Sequence, residues 1–159
     1  MNQSPKYQYG IEVEKKVIDF LKLRPSSPRD NVYLDLDAWD EYEFSYSIKC
    51  QHTALKTGNL AFELSTKKAD GSCTESWYYT GKADSYLIVV GHNLYLINRK
   101  LFQGYIKWFG WDGIKELSLK TQQSQKDIGH SHVNASLGLI SLERLKQEGL
   151  IRAEWSLPF

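Results

Sequence analysis

The chain has 159 residues, a length typical of one domain, and its 42% hydrophobic and 25% charged residues exclude a disordered or fibrous protein. Lysine and arginine total 20 against 19 aspartate and glutamate residues, so the formal net charge is only +1. That balance excludes a polybasic protein that holds nucleic acid by bulk charge, although an acidic site beside basic patches would give the same total.

The compartment is predicted from three absences in the sequence. The start, from Met1 to Lys6, lacks the apolar core of a secretory signal, and no apolar run is long enough to cross a bilayer. Cys50 and Cys73 form no CxxC pair and suggest no disulfide framework. We expect a single domain over residues 1–159 in the reducing cytoplasm, without membrane contact.

The first half of the chain is predicted to be one helix followed by strands. Apolar residues recur at helical spacing over residues 9–23, and the prolines and serines of residues 24–30 end that helix. Alternation of apolar and polar residues predicts strands at 32–37 and 44–49, joined by a turn near Asp40, and a third strand at 60–64.

The second half mixes both kinds of element. Residues 65–81 form a polar connection, 86–90 and 94–97 are strands joined by a turn at Gly91, and 99–108 are a short helix. Residues 120–136 are rich in Gln, Ser, Asn and His and predict a long loop, and 141–149 predict a helix that stops at a glycine. This order predicts an α+β domain built on a mixed sheet.

The predicted strands carry the residues that phosphodiester hydrolysis needs. That reaction requires a metal on the phosphate, an activated water and a cation near the developing charge. Mg²⁺ takes few carboxylate ligands and keeps several waters, and a nearby lysine can orient or deprotonate the attacking water. Asp35 and Asp37 share one face of the first predicted strand, while Ser47 and Lys49 share one face of the second. A hairpin would place Asp35 opposite Ser47, and Glu63 could bring a further carboxylate.

This arrangement resembles the PD-(D/E)XK nuclease superfamily, which includes restriction enzymes, Holliday-junction resolvases, phage nucleases and some intron-encoded homing endonucleases. Its pattern is a helix glutamate, a hairpin aspartate and then (D/E)-x-K, matched in order by Glu14, Asp35 and Ser47-Ile48-Lys49. The resemblance spans residues 9–97. Its further features, similar to small phage-type members, are Lys56-Thr57-Gly58-Asn59, Phe62-Glu63 and Lys82-Ala83-Asp84.

The resemblance implies a restriction-endonuclease-like core, in which helices flank a central mixed sheet, and a site-specific, Mg²⁺-dependent endodeoxyribonuclease of homing or restriction type. Mn²⁺ could substitute for Mg²⁺. The implied catalytic residues are Lys49, Glu14, Asp35, Ser47 and Glu63, and the implied metal contacts are Asp35, Glu63, Glu14 and Asp37, with Asp35 favoured over Asp37. The partner is double-stranded DNA, and because cutting both strands needs two sites we expect a homo-oligomer, a dimer or tetramer.

Contacts to DNA are predicted from polar residues around this core. The candidates are Lys56, Asn59, Lys67, Lys68, Lys82, Arg99 and Lys100. The predicted loop at 121–136 could read base edges or could simply be flexible. His130-Ser131-His132 has no cysteines at zinc-ligand spacing, so a polar loop is the favoured interpretation there.

One residue departs from the superfamily pattern and keeps a second function open. Ser47 stands where the pattern has an acid, and a hydroxyl is a weaker, uncharged metal ligand. Glu63 could compensate; the alternative is a catalytically impaired relative that binds DNA without cutting. Asp35 and Asp37 could also be solvent-facing hairpin residues, and Lys49 a surface lysine at a sheet edge. An enzyme acting on a small molecule has no nucleotide or cofactor motif to support it.

Overall fold

The computed structural model describes residues 5–111, 119–128 and 131–159, with side chains from 8 to 111 and from 135 onward. Its helices are α1 (Pro5–Phe20), α2 (Pro28–Leu34), α3 (Ala54–Thr57), α4 (Trp77–Thr80), α5 (Arg99–Phe109) and α6 (Leu142–Gln147). Its strands are β1 (Arg24–Pro25), β2 (Ala38–Trp39), β3 (Ser45–Cys50), β4 (Asn59–Lys67), β5 (Cys73–Glu75), β6 (Ser85–Val90), β7 (Asn93–Asn98), β8 (Leu119–Ile128), β9 (Ser131–Ser141) and β10 (Ile151–Ser156).

The strands form two sheets. The main sheet has six strands in the order β1-β2-β3-β6-β7-β10, and the second sheet has four in the order β5-β4-β9-β8. β3 and β6 run parallel, with Ser47 beside Tyr86 and Lys49 beside Ile88, whereas the other pairs of the main sheet are antiparallel. The predicted α+β class, with a mixed central sheet and flanking helices, is confirmed.

Two apolar clusters hold these layers together. One joins the two sheets around Phe62, whose ring centroid lies 4.5 Å from that of Phe102 on α5. The other lies under α1, where the helical spacing of Val13 and Val17 buries both residues against Ile48 of β3. α1 therefore packs across β3. Glu14, at the edge of the buried face of α1, lies beside Lys49 near the carboxyl end of that strand.

The predicted strand at 32–37 is wrong because helix-capping signals prevail over the alternation. Ser27 is an N-cap whose side chain accepts from the Asp30 N–H, and Pro28 occupies the first helical turn, so residues 28–34 form α2. The alternation does not reflect burial, since Val32 is 74% exposed while Leu36, beyond the helix, is only 3% exposed. Asp35 and Asp37 therefore do not share a strand face.

The predicted loop at 120–136 is also wrong, although Gly129 and His130 lie outside the described residues. Most of this polar stretch belongs to β8 and β9, which pair in unbroken register from Leu119 opposite Ile140 to Ile128 opposite Ser131. Because β8 pairs through its backbone on the outside of the second sheet, it does not need the apolar residues that reveal a buried strand. The polar connection at 65–81 likewise contains β5 and α4.

The remaining predicted elements are present with shifted ends. The helices at 9–23, 99–108 and 141–149 correspond to α1, α5 and α6, and the strands at 44–49, 60–64, 86–90 and 94–97 correspond to β3, β4, β6 and β7. In the part of the chain that the structure describes, no helix is both long and apolar enough to span a membrane.

Candidate active site

The centre of the candidate site is an ion pair between Lys49 and Asp35. Lys49 Nζ lies 2.7 Å from Asp35 Oδ1, and both side chains are about four-fifths buried, with 20% and 22% of their surfaces exposed. The Ser47 hydroxyl donates to the other oxygen, Asp35 Oδ2, at 2.8 Å. Alternation along β3 puts Ser47 and Lys49 on one face, so a single strand engages both oxygens of this carboxylate.

Asp35 reaches this position from the end of a helix rather than from a hairpin. It is the C-cap of α2, with φ 53° and ψ 43°, and its N–H donates to the Asp30 carbonyl. Aspartate is one of the few non-glycine residues that adopt this left-handed conformation readily. The expected Asp35–Ser47 proximity is therefore present, but the capping turn produces it.

Asp37 and Glu14 add two carboxyl groups on the other side of Lys49. Asp37 is 6% exposed. It accepts from the Ile48 N–H and from Asn31, and its charge lies close enough to Glu14 of α1 to raise the pKa of that residue. Glu14, Asp35 and Asp37, termed here the carboxylate cluster, thus come from two segments, α1 and the connection between α2 and β2.

The carboxylate cluster holds more negative potential than Lys49 neutralises. Burial, and then the charge of Asp37, raise the pKa of Glu14 to about 7. Burial raises the pKa of Asp37 to about 6, although the Ile48 N–H and Lys49 oppose that shift. Carboxyl groups held close together in a partly desolvated place are a common arrangement at functional sites.

An aromatic ring covers the lysine. Lys49 Nζ lies 4.6 Å from the centroid of the Trp77 ring, a cation–π contact that limits the orientations of the ammonium group. Trp77 begins α4, whose following Gly81 lies against Asp35. The sequence analysis did not single out Trp77; its signal was an aromatic run, Trp77 to Tyr79, inside an otherwise polar connection.

Glu14, Lys49 and Trp77 border a cavity of about 820 Å³, whereas Asp35, Asp37 and Ser47 lie behind Lys49 and are not part of its lining. Glu14 and Lys49 line one side of it, and Glu63 lines it from β4 together with Leu137 and Leu139 of β9. Glu63 is buried and accepts a hydrogen bond from the Ser76 hydroxyl. The structure therefore brings the predicted residues of three elements to one cavity, with Asp35 in contact with its Lys49.

Hydrogen bonds connect the two sides of the cavity, one formed by the end of β3 and the other by β4. Gln51 follows β3, donates to the Ala61 carbonyl at 2.6 Å and accepts from the Ala61 N–H at 2.7 Å. His52 accepts from the Gly91 N–H at 3.0 Å through Nδ1 and lies 3.1 Å from the Tyr9 hydroxyl through Nε2. These two residues, which the sequence analysis did not single out, hold α1, β3 and β4 at fixed separations.

The predicted DNA contacts are spread over the surface. Of that set, Asn59 lines the cavity. Arg99 is half-buried and donates to the Ala83 carbonyl and to Gln103, so part of its guanidinium group is engaged within the fold. The exposed members are Lys56, Lys67, Lys68, Lys82 and Lys100.

The donor set suits a hard divalent cation. Within the described residues no three His, Cys, Asp or Glu side chains form a ready-made metal cage. Mg²⁺ does not require one, since it commonly takes one or two carboxylates and completes its shell with water. The carboxylate cluster provides those oxygens, and its raised pKa values, due first to burial and then to neighbouring carboxylates, mark groups whose charge a bound cation would stabilise.

Comparison with known proteins adds no relative from which a role could be carried over: no family model matches the chain, and no curated protein and no solved structure matches it.

Proposed function

We propose that the protein is a Mg²⁺-dependent endodeoxyribonuclease with a restriction-endonuclease-like core, related to the PD-(D/E)XK nucleases. The observation that supports this most is the Lys49–Asp35 ion pair beside Glu14 and Asp37 at the edge of a cavity. Of these residues, Glu14, Asp35 and Lys49 resemble the superfamily pattern in their order along the chain, with Ser47 in place of its acidic residue. Site-specific cutting, of homing or restriction type, belongs to the same proposal.

In this proposal, each residue of the candidate site has a role in phosphodiester hydrolysis. The carboxylate cluster would hold the ion, and Glu63 lines from β4 the same cavity that Glu14 lines from α1. A bound Mg²⁺ would polarise the phosphate and lower the pKa of a coordinated water. Lys49 holds its ammonium group next to the cluster, where it can orient the attacking water and stabilise developing negative charge. Ser47 fixes the Asp35 carboxylate through its hydrogen bond.

Assembly follows from the proposed reaction. One copy carries one such site in its described residues, and cutting both strands of a duplex needs two. We therefore propose that the working form is a homo-oligomer, a dimer or tetramer, on double-stranded DNA.

Plasmid cleavage tests the proposal. Purified protein is incubated with supercoiled plasmid in Mg²⁺ or Mn²⁺, beside an EDTA control, Lys49→Ala, and the surface variant Lys107→Ala as a matched loss of one lysine. We expect nicking by the parent and by Lys107→Ala, no reaction in EDTA, and at least a hundredfold slower reaction by Lys49→Ala, as for loss of a general acid–base group. Equal nicking by parent and Lys49→Ala would refute it.

Ser47 favours a second candidate, a protein of the same fold that binds DNA without cutting. Ser47 is fully buried, and its hydroxyl already donates to Asp35, so it adds no charge to the site. In that case the parent shows salt-sensitive DNA binding but no cleavage in any divalent metal. Ser47→Glu would then create cleavage, whereas Ser47→Gln, which introduces a side chain of the same shape without the charge, would not.

A further inference from the structure

Tyr9 of α1 and His52, which follows β3, form a pair on the border of the cavity. The Tyr9 hydroxyl lies 3.1 Å from His52 Nε2, and the two ring centroids are 5.4 Å apart. Both residues line the cavity of about 820 Å³, and both also line a smaller cavity of about 260 Å³. The pair therefore lies where the two cavities adjoin.

The backbone of Gly91 fixes the tautomer of His52. The Gly91 N–H donates to His52 Nδ1 at 3.0 Å, and a backbone amide can only donate. Nδ1 therefore carries no proton, and the neutral imidazole carries its proton on Nε2. That N–H faces the Tyr9 hydroxyl, so the tyrosine oxygen is the acceptor in the pair.

The proton of the Tyr9 hydroxyl is consequently left for another acceptor. A phenol donates one hydrogen bond as well as accepting, and within the described residues His52 is the one hydrogen-bond partner of this hydroxyl. Tyr9 is 50% exposed. A hydroxyl that already accepts an N–H is a stronger donor, because linked hydrogen bonds polarise one another. Tyr9 thus offers a hydrogen-bond donor to a ligand at the cavity.

The charges around the pair favour an anionic acceptor. Lys16 and His92 line the smaller cavity, and none of its lining residues in the described part of the chain has an acidic side chain. Lys16 Nζ lies 5.4 Å from the centroid of the Phe159 ring, a contact that keeps the ammonium group at this surface. Tyrosine hydroxyls are among the groups that contact phosphate oxygens in DNA complexes. A phosphate is therefore the ligand group that suits the Tyr9 donor.

The position of Tyr9 on α1 relates this phosphate to the carboxylate cluster. Tyr9 precedes Glu14 by five residues, which is about 7.5 Å along a helix. Phosphates of one DNA strand follow one another at about 3.4 Å along the duplex axis, so that distance corresponds to about two nucleotides. A strand with one phosphate at the cluster can thus place a nearby phosphate at Tyr9.

We propose that the Tyr9 hydroxyl, held as the acceptor of the His52 Nε2 proton, donates a hydrogen bond to a phosphate of the bound DNA strand about two nucleotides from the phosphate that is cut. His52 is then a positioning residue, since it contacts Tyr9 and not the DNA. The inference rests on the proposed function in that this DNA is the substrate. It adds to the proposed metal site an uncharged phosphate contact on α1.

The variant Tyr9→Phe tests the phosphate contact. It removes one hydroxyl and keeps the ring beside His52 at a half-exposed position, so the fold is retained. Binding to a fluorescent duplex oligonucleotide is measured by anisotropy in EDTA over a range of KCl concentrations, so that no cleavage intervenes. The matched control is Tyr42→Phe, at a residue that is 74% exposed and does not line the cavity.

We expect Tyr9→Phe to bind about tenfold more weakly, as for loss of a hydrogen bond to a charged group, and Tyr42→Phe to bind like the parent. The slope of log K against log salt should stay unchanged, because the lost contact is uncharged and releases no counterion. Parent-like binding by Tyr9→Phe, or failure of the parent to bind, would overturn the inference.

The variant His52→Asn tests the positioning role. Its side-chain oxygen keeps an acceptor for the Gly91 N–H, while the donor to Tyr9 is lost. We expect about threefold weaker binding in the parent and no further loss in Tyr9→Phe, since His52 acts through that hydroxyl. Equal losses in both backgrounds would refute this role.

Plasmid nicking by the parent is scored separately from these binding measurements. Nicking together with parent-like binding by Tyr9→Phe refutes this inference and leaves the proposed function standing. Weaker binding by Tyr9→Phe without nicking by the parent supports the Tyr9 contact and favours the protein that binds DNA without cutting.

Discussion

At the scale of single residues, the site depends on carboxyl groups that the fold keeps partly away from water. Glu14 lies at the edge of the apolar face of α1, and Asp37 is buried beside β3. Each would be more easily ionised in the unfolded chain. The fold therefore maintains this pair against an electrostatic penalty, as expected where a site is built for a ligand rather than for stability.

Stability should consequently fall as pH rises when no metal is present. Below the unfolded pKa of 4.5, Glu14 is protonated in both states and contributes no penalty. Between that pH and the folded pKa of about 7, the unfolded chain ionises first, so unfolding becomes progressively more favourable. Asp37, with its folded pKa of about 6, acts in the same direction.

Urea unfolding in EDTA at pH 5 and pH 8 measures this effect. We expect the free energy of unfolding to be about 1–2 kcal/mol smaller at pH 8, a value reduced for the solvent that reaches Glu14. Glu14→Gln should remove much of the difference, whereas Glu12→Gln, an exposed residue on the same helix, should not. A free energy that increases with pH in the parent would contradict the expectation.

Asp35 has two roles: its left-handed backbone caps α2, and its carboxylate pairs with Lys49. Asp35→Asn keeps a residue that tolerates the left-handed conformation and removes only the charge. We expect it to remain folded, with a free energy of unfolding within about 1–2 kcal/mol of the parent, and to lose plasmid cleavage. Cleavage by Asp35→Asn at the parental rate would show that this carboxylate is dispensable.

At the scale of elements, short helices rather than long ones set the geometry of the site. Asp35 is the C-cap of α2, and the turn after α4 brings Gly81 against its carboxylate. A Cβ on Gly81 would lie 2.6 Å from the Trp77 carbonyl oxygen and 3.3 Å from Asp35 Oδ2. The position accepts no side chain unless α4 or Asp35 moves.

Gly81→Ala should therefore disturb both stability and the site. We expect a loss of about 1–3 kcal/mol in the free energy of unfolding, as for overpacking of a filled interior, together with slower cleavage. Gly104→Ala is the matched control, because a Cβ there meets no atom within 4 Å and should favour α5 by about 0.5–1 kcal/mol. Denaturant unfolding of both variants checks this; equal stability of the two would contradict it.

At the scale of the whole molecule, the two sheets are joined through one aromatic cluster. Phe62 of β4 contacts rings from β6, α4 and α5, among them Tyr86, Tyr78 and Phe102. β4 also carries Glu63, which lines the cavity. The same strand therefore packs the core through Phe62 and places a carboxylate in the candidate site. Because successive side chains of a strand point to opposite faces, Phe62 faces the core and Glu63 faces the cavity.

Phe62→Ala should accordingly be among the most destabilising single changes. We expect a loss of about 3–5 kcal/mol, the range for removing a buried aromatic side chain. Tyr42→Ala, at a position that is 74% exposed, should change the free energy of unfolding by no more than about 0.5 kcal/mol. Thermal or urea unfolding would contradict the prediction if the two variants were equally stable.

The sequence predicts the core strands and the proximity of Asp35, Ser47 and Lys49, and it misses what depends on capping and pairing. β6 and β7 are apparent because burial requires apolar runs, whereas β8 pairs through its backbone and carries no such run. Alternation around Val32 suggests a strand, yet Ser27 and Pro28 start a helix. The residues Glu14, Asp35 and Lys49 are correctly brought together in the prediction, but Trp77 and Gln51 act through contacts distant in sequence.

Calorimetric titration with Mn²⁺ and Mg²⁺ tests directly whether the carboxylate cluster beside Lys49 binds a divalent cation, and it requires no knowledge of the DNA target. Near pH 7 we expect saturable binding with release of protons, since a cation displaces them from carboxyl groups whose pKa values are raised. Binding should be abolished in a variant that combines Glu14→Gln, Asp35→Asn and Asp37→Asn, and retained in Glu12→Gln. Unchanged binding in the triple variant, or no binding in the parent, would contradict the account.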